Sequence, residues 1–160
     1  MTHIKICAKR HVGNLVNEAA ASGLPYTAII SIQDPARKTQ RWNYREKWQK
    51  QLDERCATNL CLYFWDTEDP DDRQGPSERT IAKIVGFCTQ HIDRESRVLI
   101  HCMQGISRSS AAAVILLLAT GQFDDARLAA QFLRAAKPDI DPNERMLELY
   151  ALSQNKEAAE

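Results

Sequence analysis

The sequence has no surplus of charge: 21 Lys and Arg stand against 21 Asp and Glu. Without a net field, general attraction to nucleic acid or to an anionic membrane surface is not expected, and any anion must be recognised locally. No apolar run approaches the ~18 residues that read as a membrane span. The opening residues, MTHIKICAKRH, are too polar for a secretory signal, so a soluble, cytoplasmic protein is expected. C-x-x-C pairs are also missing. The five cysteines, at 7, 56, 61, 88 and 102, are odd in number, which argues against a disulfide framework and a zinc site and leaves at least one thiol free. Repeats, low-complexity tracts and a second domain are absent too. A chain of 160 residues suits one domain, which buries roughly 70% of the surface its unfolded form exposes. That domain is expected over residues 1–153, with 154–160, QNKEAAE, as a frayed tail.

What is present is an alternation of strands and helices. IKICA (4–8), YTAIISIQ (26–33), NLCLYFW (59–65) and RVLIH (97–101) read as strands. The last has the continuous apolar character of a strand covered on both faces. Helices are expected over 12–23, closed by Gly23, over 76–92, from about 109 to 120, over 123–136 and over 143–153. Such a series implies an α/β fold, with a central, mostly parallel sheet flanked by helices on both faces. Between strands two and three, ARKTQRWNYREKWQKQLDER is either an exposed helix or a long loop. Its basic residues Arg37, Lys38, Arg41, Arg45, Lys47 and Lys50, interleaved with Trp42, Tyr44 and Trp48, read as a solvated face with tucked aromatics more readily than as a binding surface.

A cysteine followed six positions later by arginine occurs twice, as Cys88 with Arg94 and as Cys102 with Arg108. The spacing alone decides nothing. Ile81, Ile84, Val85 and Cys88 fall at i, i+3, i+4 and i+7, so Cys88 belongs to the inner face of an amphipathic helix. In HCMQGISRSS (101–110), by contrast, Cys102 leaves a buried strand, enters a short loop containing Gly105, and precedes a helix that is apolar nearly all round. The first N–H groups of that helix lack intrahelical partners and form the positive end of its dipole. With the inward N–H groups of the loop, from Met103, Gln104, Gly105, Ile106 and Ser107, they would cradle a phosphate. The same field would lower the Cys102 pKa from about 8.5 toward about 3.5–7.5. Arg108 offers a planar fork of donors for two phosphoryl oxygens. Ser109 could cap the helix or bond the Cys102 sulfur, and His101 is better placed to orient the loop than to act as a base.

HCMQGISRS resembles the HC-x5-R-S signature of the cysteine-dependent protein tyrosine phosphatases, and its G-x-S-R-S form is most similar to their dual-specificity branch, in wording like small bacterial members. The likeness extends through RVLIHC, SSAAAVILLL and AKPDIDPNERMLELY, with the closing Pro142-Asn143 helix, and covers residues 59–152. The first 58 residues match only in outline. The resemblance implies that the Cys102 thiolate attacks phosphorus while an aspartate protonates the leaving oxygen and then, as base, activates water to hydrolyse the cysteinyl phosphate. Asp66 is the first choice: it stands at the C-terminal end of a strand, where α/β sheets present ligand sites, and Asp66-Thr67 matches the family's Asp-Thr. Asp69 and Asp72 remain candidates, since 36 residues separate Asp66 from Cys102.

That mechanism requires neither metal nor cofactor. The implied partners are a phosphorylated protein or peptide as substrate and phosphate or vanadate as active-site ligands, with no nucleic acid and no membrane. Met103, Gln104, Ile106 and Ser107 include no basic residue, unlike relatives acting on multiply phosphorylated inositol lipids, which favours phosphotyrosine, with phosphoserine and phosphothreonine as further substrates. Two rivals stand beside this reading. One is a catalytically weak phosphate-recognition module. The other is a different thiol enzyme, a sulfurtransferase or arsenate reductase, whose loops are commonly shorter or nearer the N-terminus.

Overall fold

The computed structural model describes residues 1–35 and 43–160. Strands and helices alternate as β1 (His3–Ala8), a 3-10 turn (Lys9–His11), α1 (Val12–Ala21), β2 (Ala28–Gln33), α2 (Tyr44–Arg55), β3 (Asn59–Tyr63), α3 (Glu78–His91), β4 (Arg97–Cys102), α4 (Arg108–Ala119), α5 (Ala126–Ala136) and α6 (Glu144–Ala159). The four strands form one parallel sheet in the order β1-β4-β2-β3. This is the α/β architecture expected from the alternation, with every strand pair among the described residues parallel.

Side chains alternate across a strand, so each strand feeds two cores. Ile30, Ile32, Val98 and Ile100 point to one face, where α3, α4, α5 and α6 cover them with Ile84, Leu116, Leu133 and Leu149. Ile29 and Leu99 point to the other, beneath Val12 of α1 and Trp48 and Leu52 of α2. Cys88 is fully buried in the first core, as its helical periodicity requires. α4 is buried from Arg108 to Leu117. The loop after β4 is therefore clamped between a central strand and a core helix.

Several ends differ from the sequence reading, for local reasons. β3 stops at Tyr63 rather than at residue 65, because the Trp65 N–H turns away to the Gln74 carbonyl at 2.8 Å. α5 starts at Ala126, where the Asp125 side chain accepts from the N–H groups of Arg127 and Leu128. α1 ends as expected at Gly23, with φ +75°, and the Gly23 and Leu24 N–H groups return to the carbonyls of Ala20 and Ala19. Residues 154–159, expected to fray, are helical as the end of α6: Gln, Lys, Glu and Ala favour helix, and Lys156 pairs with Glu78 of α3 at 2.9 Å. In the basic stretch the described part is α2, with Trp48 buried; Arg37, Lys38, Arg41 and Trp42 lie outside the described residues. No helix among them is long and apolar enough to cross a membrane.

Candidate active site

β4 delivers Cys102 to the C-terminal edge of the sheet, and the chain turns through residues 103–107 into α4. Three carbonyls of this loop are taken up by donors outside it. Met103 O accepts from Lys9 N, Ile106 O from Asp141 N and Ser107 O from Asn143 N, at 3.4, 3.0 and 3.2 Å. With these acceptors used on the outside, the N–H groups of Gly105 and Ile106 turn to the Cys102 sulfur inside. Gly105 makes this curl possible. It has φ +73°, and a Cβ there would meet the Cys7 carbonyl carbon at 2.5 Å and Ala8 N at 2.6 Å. The loop rests directly on the β1 backbone, and no side chain fits between them.

Cys102 is 2% exposed. Its sulfur accepts from Gly105 N at 3.2 Å and lies 3.1 Å from Ser109 Oγ. Burial pushes the thiol pKa up, but the Ser109 hydroxyl and the N–H groups of Ser109, Gly105 and Ile106 outweigh it, and the pKa falls below its ordinary value. Of the two roles open to Ser109, the structure places it on the sulfur; Ser107 stands at the N-cap position and makes no capping bond. Among the described residues Cys7 and Cys88 meet no such donors, and burial raises them to about 11 and about 12.

Arg108 is 3% exposed. Its Nη1 donates to Phe64 O at 2.6 Å and pairs with Asp34 at 2.9 Å, so the ends of β2 and β3 fix the guanidinium from behind. Its buried Nε has no partner among the described residues. An unmet buried donor is costly, and an anion in the loop would satisfy it.

Asp66 is brought to the rim of the loop. Its Oδ1 accepts from Ser107 Oγ at 2.7 Å and from Asn143 Nδ2 at 2.9 Å. Asn143, 1% exposed, also donates to Thr67 O and accepts from Met146 N as cap of α6. Asp69 and Asp72 instead close turns in their own segment, accepting from Asp71 N and Gln74 N. Met103, Ile106 and Ser107 are partly exposed, and Gln104 is exposed.

His101 faces the other side of the sheet. Trp48 Nε1 donates to Ser31 Oγ at 2.9 Å, Ser31 Oγ lies 2.7 Å from His101 Nε2, and His101 Nδ1 lies 3.2 Å from Cys102 O. A carbonyl only accepts, so Nδ1 carries the proton and the Ser31 hydroxyl donates to Nε2. Burial lowers the His101 pKa to about 4, which keeps the ring neutral and suits it to orienting the loop. The sequence reading did not assign Asp34, Ser31 or Trp48 to the site. Asp34 stands as a strand terminator before Pro35, and only the single polar residue inside AIISIQ marked Ser31. Asn143 entered only through the resemblance.

With this geometry in place, comparison with known proteins is decisive. A family model described as "Dual specificity phosphatase, catalytic domain" matches residues 14–155. The chain belongs to the dual-specificity phosphatases. Human DUSP28 superposes with a TM-score of 0.65 at 13% identity, over 98% of this chain and 94% of that one. PTPMT1 in complex with PI(5)P gives 0.65 at 17%, over 98% and 93%. Human tyrosine phosphatase-like serine/threonine/tyrosine-interacting protein gives 0.58 at 18%, over 98% and 91%. These neighbours share the fold. A search of the curated proteins gives no match. Among the described residues no His, Cys, Asp or Glu cluster is arranged to hold a metal ion.

Proposed function

We propose that this dual-specificity phosphatase hydrolyses phosphate monoesters in proteins, phosphotyrosine above all, through a phosphocysteine at Cys102. The observation that carries the reading is the hydrogen-bonded sulfur: a buried thiol with donors from Gly105 and Ser109 and a lowered pKa, in a loop closed by Arg108. The thiolate attacks phosphorus, the loop N–H groups and Arg108 take the charge on the equatorial oxygens, and Asp66 gives its proton to the leaving oxygen. Asp66 then takes a proton from water as that water attacks the phosphocysteine. Ser107 and Asn143 hold the carboxylate at the rim for both steps.

One structural neighbour was solved with PI(5)P, but Arg108 is the only cation in the loop of this chain, which supports a singly phosphorylated side chain over a highly charged lipid head group. The test is turnover of p-nitrophenyl phosphate and a phosphotyrosine peptide beside thiosulfate and arsenate. Phosphate release that disappears in Cys102→Ser, while that variant still binds the phosphopeptide, is expected. Undiminished release in Cys102→Ser would refute the reading; binding without turnover in the unmodified protein would make it a recognition module.

A further inference from the structure

On the face of the sheet covered by α2, a chain of polar groups runs through the apolar core to the start of the phosphate-binding loop. Ser31 and His101 are fully buried and Trp48 nearly so. Three groups meet the Ser31 hydroxyl among the described residues. Trp48 Nε1 donates to Ser31 Oγ at 2.9 Å, the Cys61 thiol donates to it at 3.7 Å, and His101 Nε2 lies 2.7 Å away. An indole N–H only donates, and a hydroxyl oxygen has two acceptor sites. Trp48 and Cys61 occupy both, so the Ser31 proton is left to point at Nε2. A donor on α2 and another on β3 thus fix the tautomer of a histidine on β4.

That tautomer matters to the loop. His101 Nδ1–H donates to Cys102 O at 3.2 Å. The C=O and N–H of a trans peptide point in opposite directions, so drawing Cys102 O to the ring turns the Met103 N–H away from it. With the proton on Nε2 instead, the Nδ1 lone pair would face the carbonyl oxygen and push the first peptide of the loop aside. The indole is itself held in place. It packs edge-on to the imidazole at 5.5 Å, and Lys9 and Arg55 lie over it at 4.7 and 5.6 Å. These two cations, with Arg108 of α4, also oppose a charge on His101, and Cys7 of β1 is a titratable group within reach of the Cys102 thiol.

We propose that Trp48 is a positioning residue of the reaction: by orienting the Ser31 hydroxyl it selects the His101 tautomer, and through it the loop geometry in which Cys102 is a thiolate. The inference rests on the phosphatase reading and adds to it a residue of α2 that acts through two others. Trp48 and Ser31 lie in series, so removing either breaks the same connection. Because the fold holds the Cys102 pKa below its ordinary value, loosening the loop moves it up.

The experiment compares the unmodified protein with Trp48→Phe, which keeps an aromatic ring in the core without the N–H donor, with Ser31→Ala, and with the double variant. It reads the NMR shifts of the His101 ring nitrogens, assigned by their loss in His101→Gln, and the pH dependence of both iodoacetate labelling of Cys102 and kcat/KM on a phosphotyrosine peptide. The unmodified ring should carry its proton on Nδ1. In Trp48→Phe the Ser31 hydroxyl is free to accept as well as donate, so the two nitrogen shifts should approach each other. The labelling profile and the acid limb of kcat/KM should then move up by about half a pH unit to one, the size of one hydrogen bond. Ser31→Ala should do the same, and the double variant no more than Ser31→Ala alone. A merely structural role lowers the thermal midpoint and kcat/KM at every pH while leaving the limb and the ring nitrogens in place. Should Ser31→Ala fail to fold, the unmodified protein and Trp48→Phe decide by themselves. A proton on Nε2 in the unmodified protein, an unmoved profile in Trp48→Phe, or additive shifts in the double variant would overturn the role of Trp48 and leave the phosphatase standing. Moved ring nitrogens and labelling with no turnover of any phosphoester would uphold the positioning of the thiolate and overturn the phosphatase.

Discussion

At the scale of single residues, the difference between Cys102 and the buried Cys7 and Cys88 is one of hydrogen-bond donors. Both Cys88 and Cys102 are buried, and burial alone raises a thiol pKa. Of these two, Cys102 meets the N–H and O–H groups that lower it, and burial is the cause that acts on Cys88. Because the folded-state value lies below the ordinary one, the thiolate fills as pH rises through that lower value. Iodoacetate should therefore label Cys102 at a lower pH than Cys7 and Cys88, as judged by peptide mass spectrometry. Ser109→Ala should move the labelling profile to higher pH; an unmoved profile would remove Ser109 from the role. The same logic separates the aspartates. Asp66→Asn should lower kcat on a phosphotyrosine peptide by about 10²- to 10⁴-fold, the usual contribution of a positioned acid, whereas Asp69→Asn should leave it within a few fold. Equal losses in both would show that the loop, and not one carboxylate, had been damaged.

At the scale of elements, the site is held by connections between segments distant in sequence. The start of α6 joins the acid segment to the phosphate-binding loop through Asn143, and β1 supports the loop beneath Gly105. Gly105→Ala places a methyl group against the Cys7–Ala8 peptide at a φ that costs roughly 1–2 kcal/mol for other residues. Its kcat/KM should fall about 10²-fold or more, as follows from moving a catalytic group by an ångström, and the thermal midpoint should fall with it; full activity in Gly105→Ala would mean that the loop is not seated on β1. Much of this scale was legible in the sequence. Short apolar runs gave four strands, Gly23 ended its helix, and the two cysteine-arginine pairs were told apart by what flanked them. Partners contributed by remote segments were not legible. Asp34, Ser31 and Trp48 acquire their roles only when β2 and α2 pack beside β4, and no local pattern encodes that pairing. The same holds for 154–159, where a cross-helix ion pair adds to good helix propensity in a stretch that looks like a tail.

At the scale of the whole molecule, the fold sets Cys102 at the end of a buried strand, Arg108 at the start of a buried helix, and Asp66 at the rim of the loop between them. With 21 Lys and Arg against 21 Asp and Glu the chain has no net field to gather anions, so recognition of one rests on local donors such as those of this loop. Every step of the proposed reaction passes through one covalent species. Turnover of a phosphotyrosine peptide should therefore be stopped with acid within milliseconds, and the peptide containing Cys102 weighed by mass spectrometry. The account predicts a phosphoryl group on Cys102 that forms as fast as the phenol is released, decays with phosphate release, and is absent in Cys102→Ser. Steady phosphate release with Cys102 unphosphorylated at every time point would contradict it.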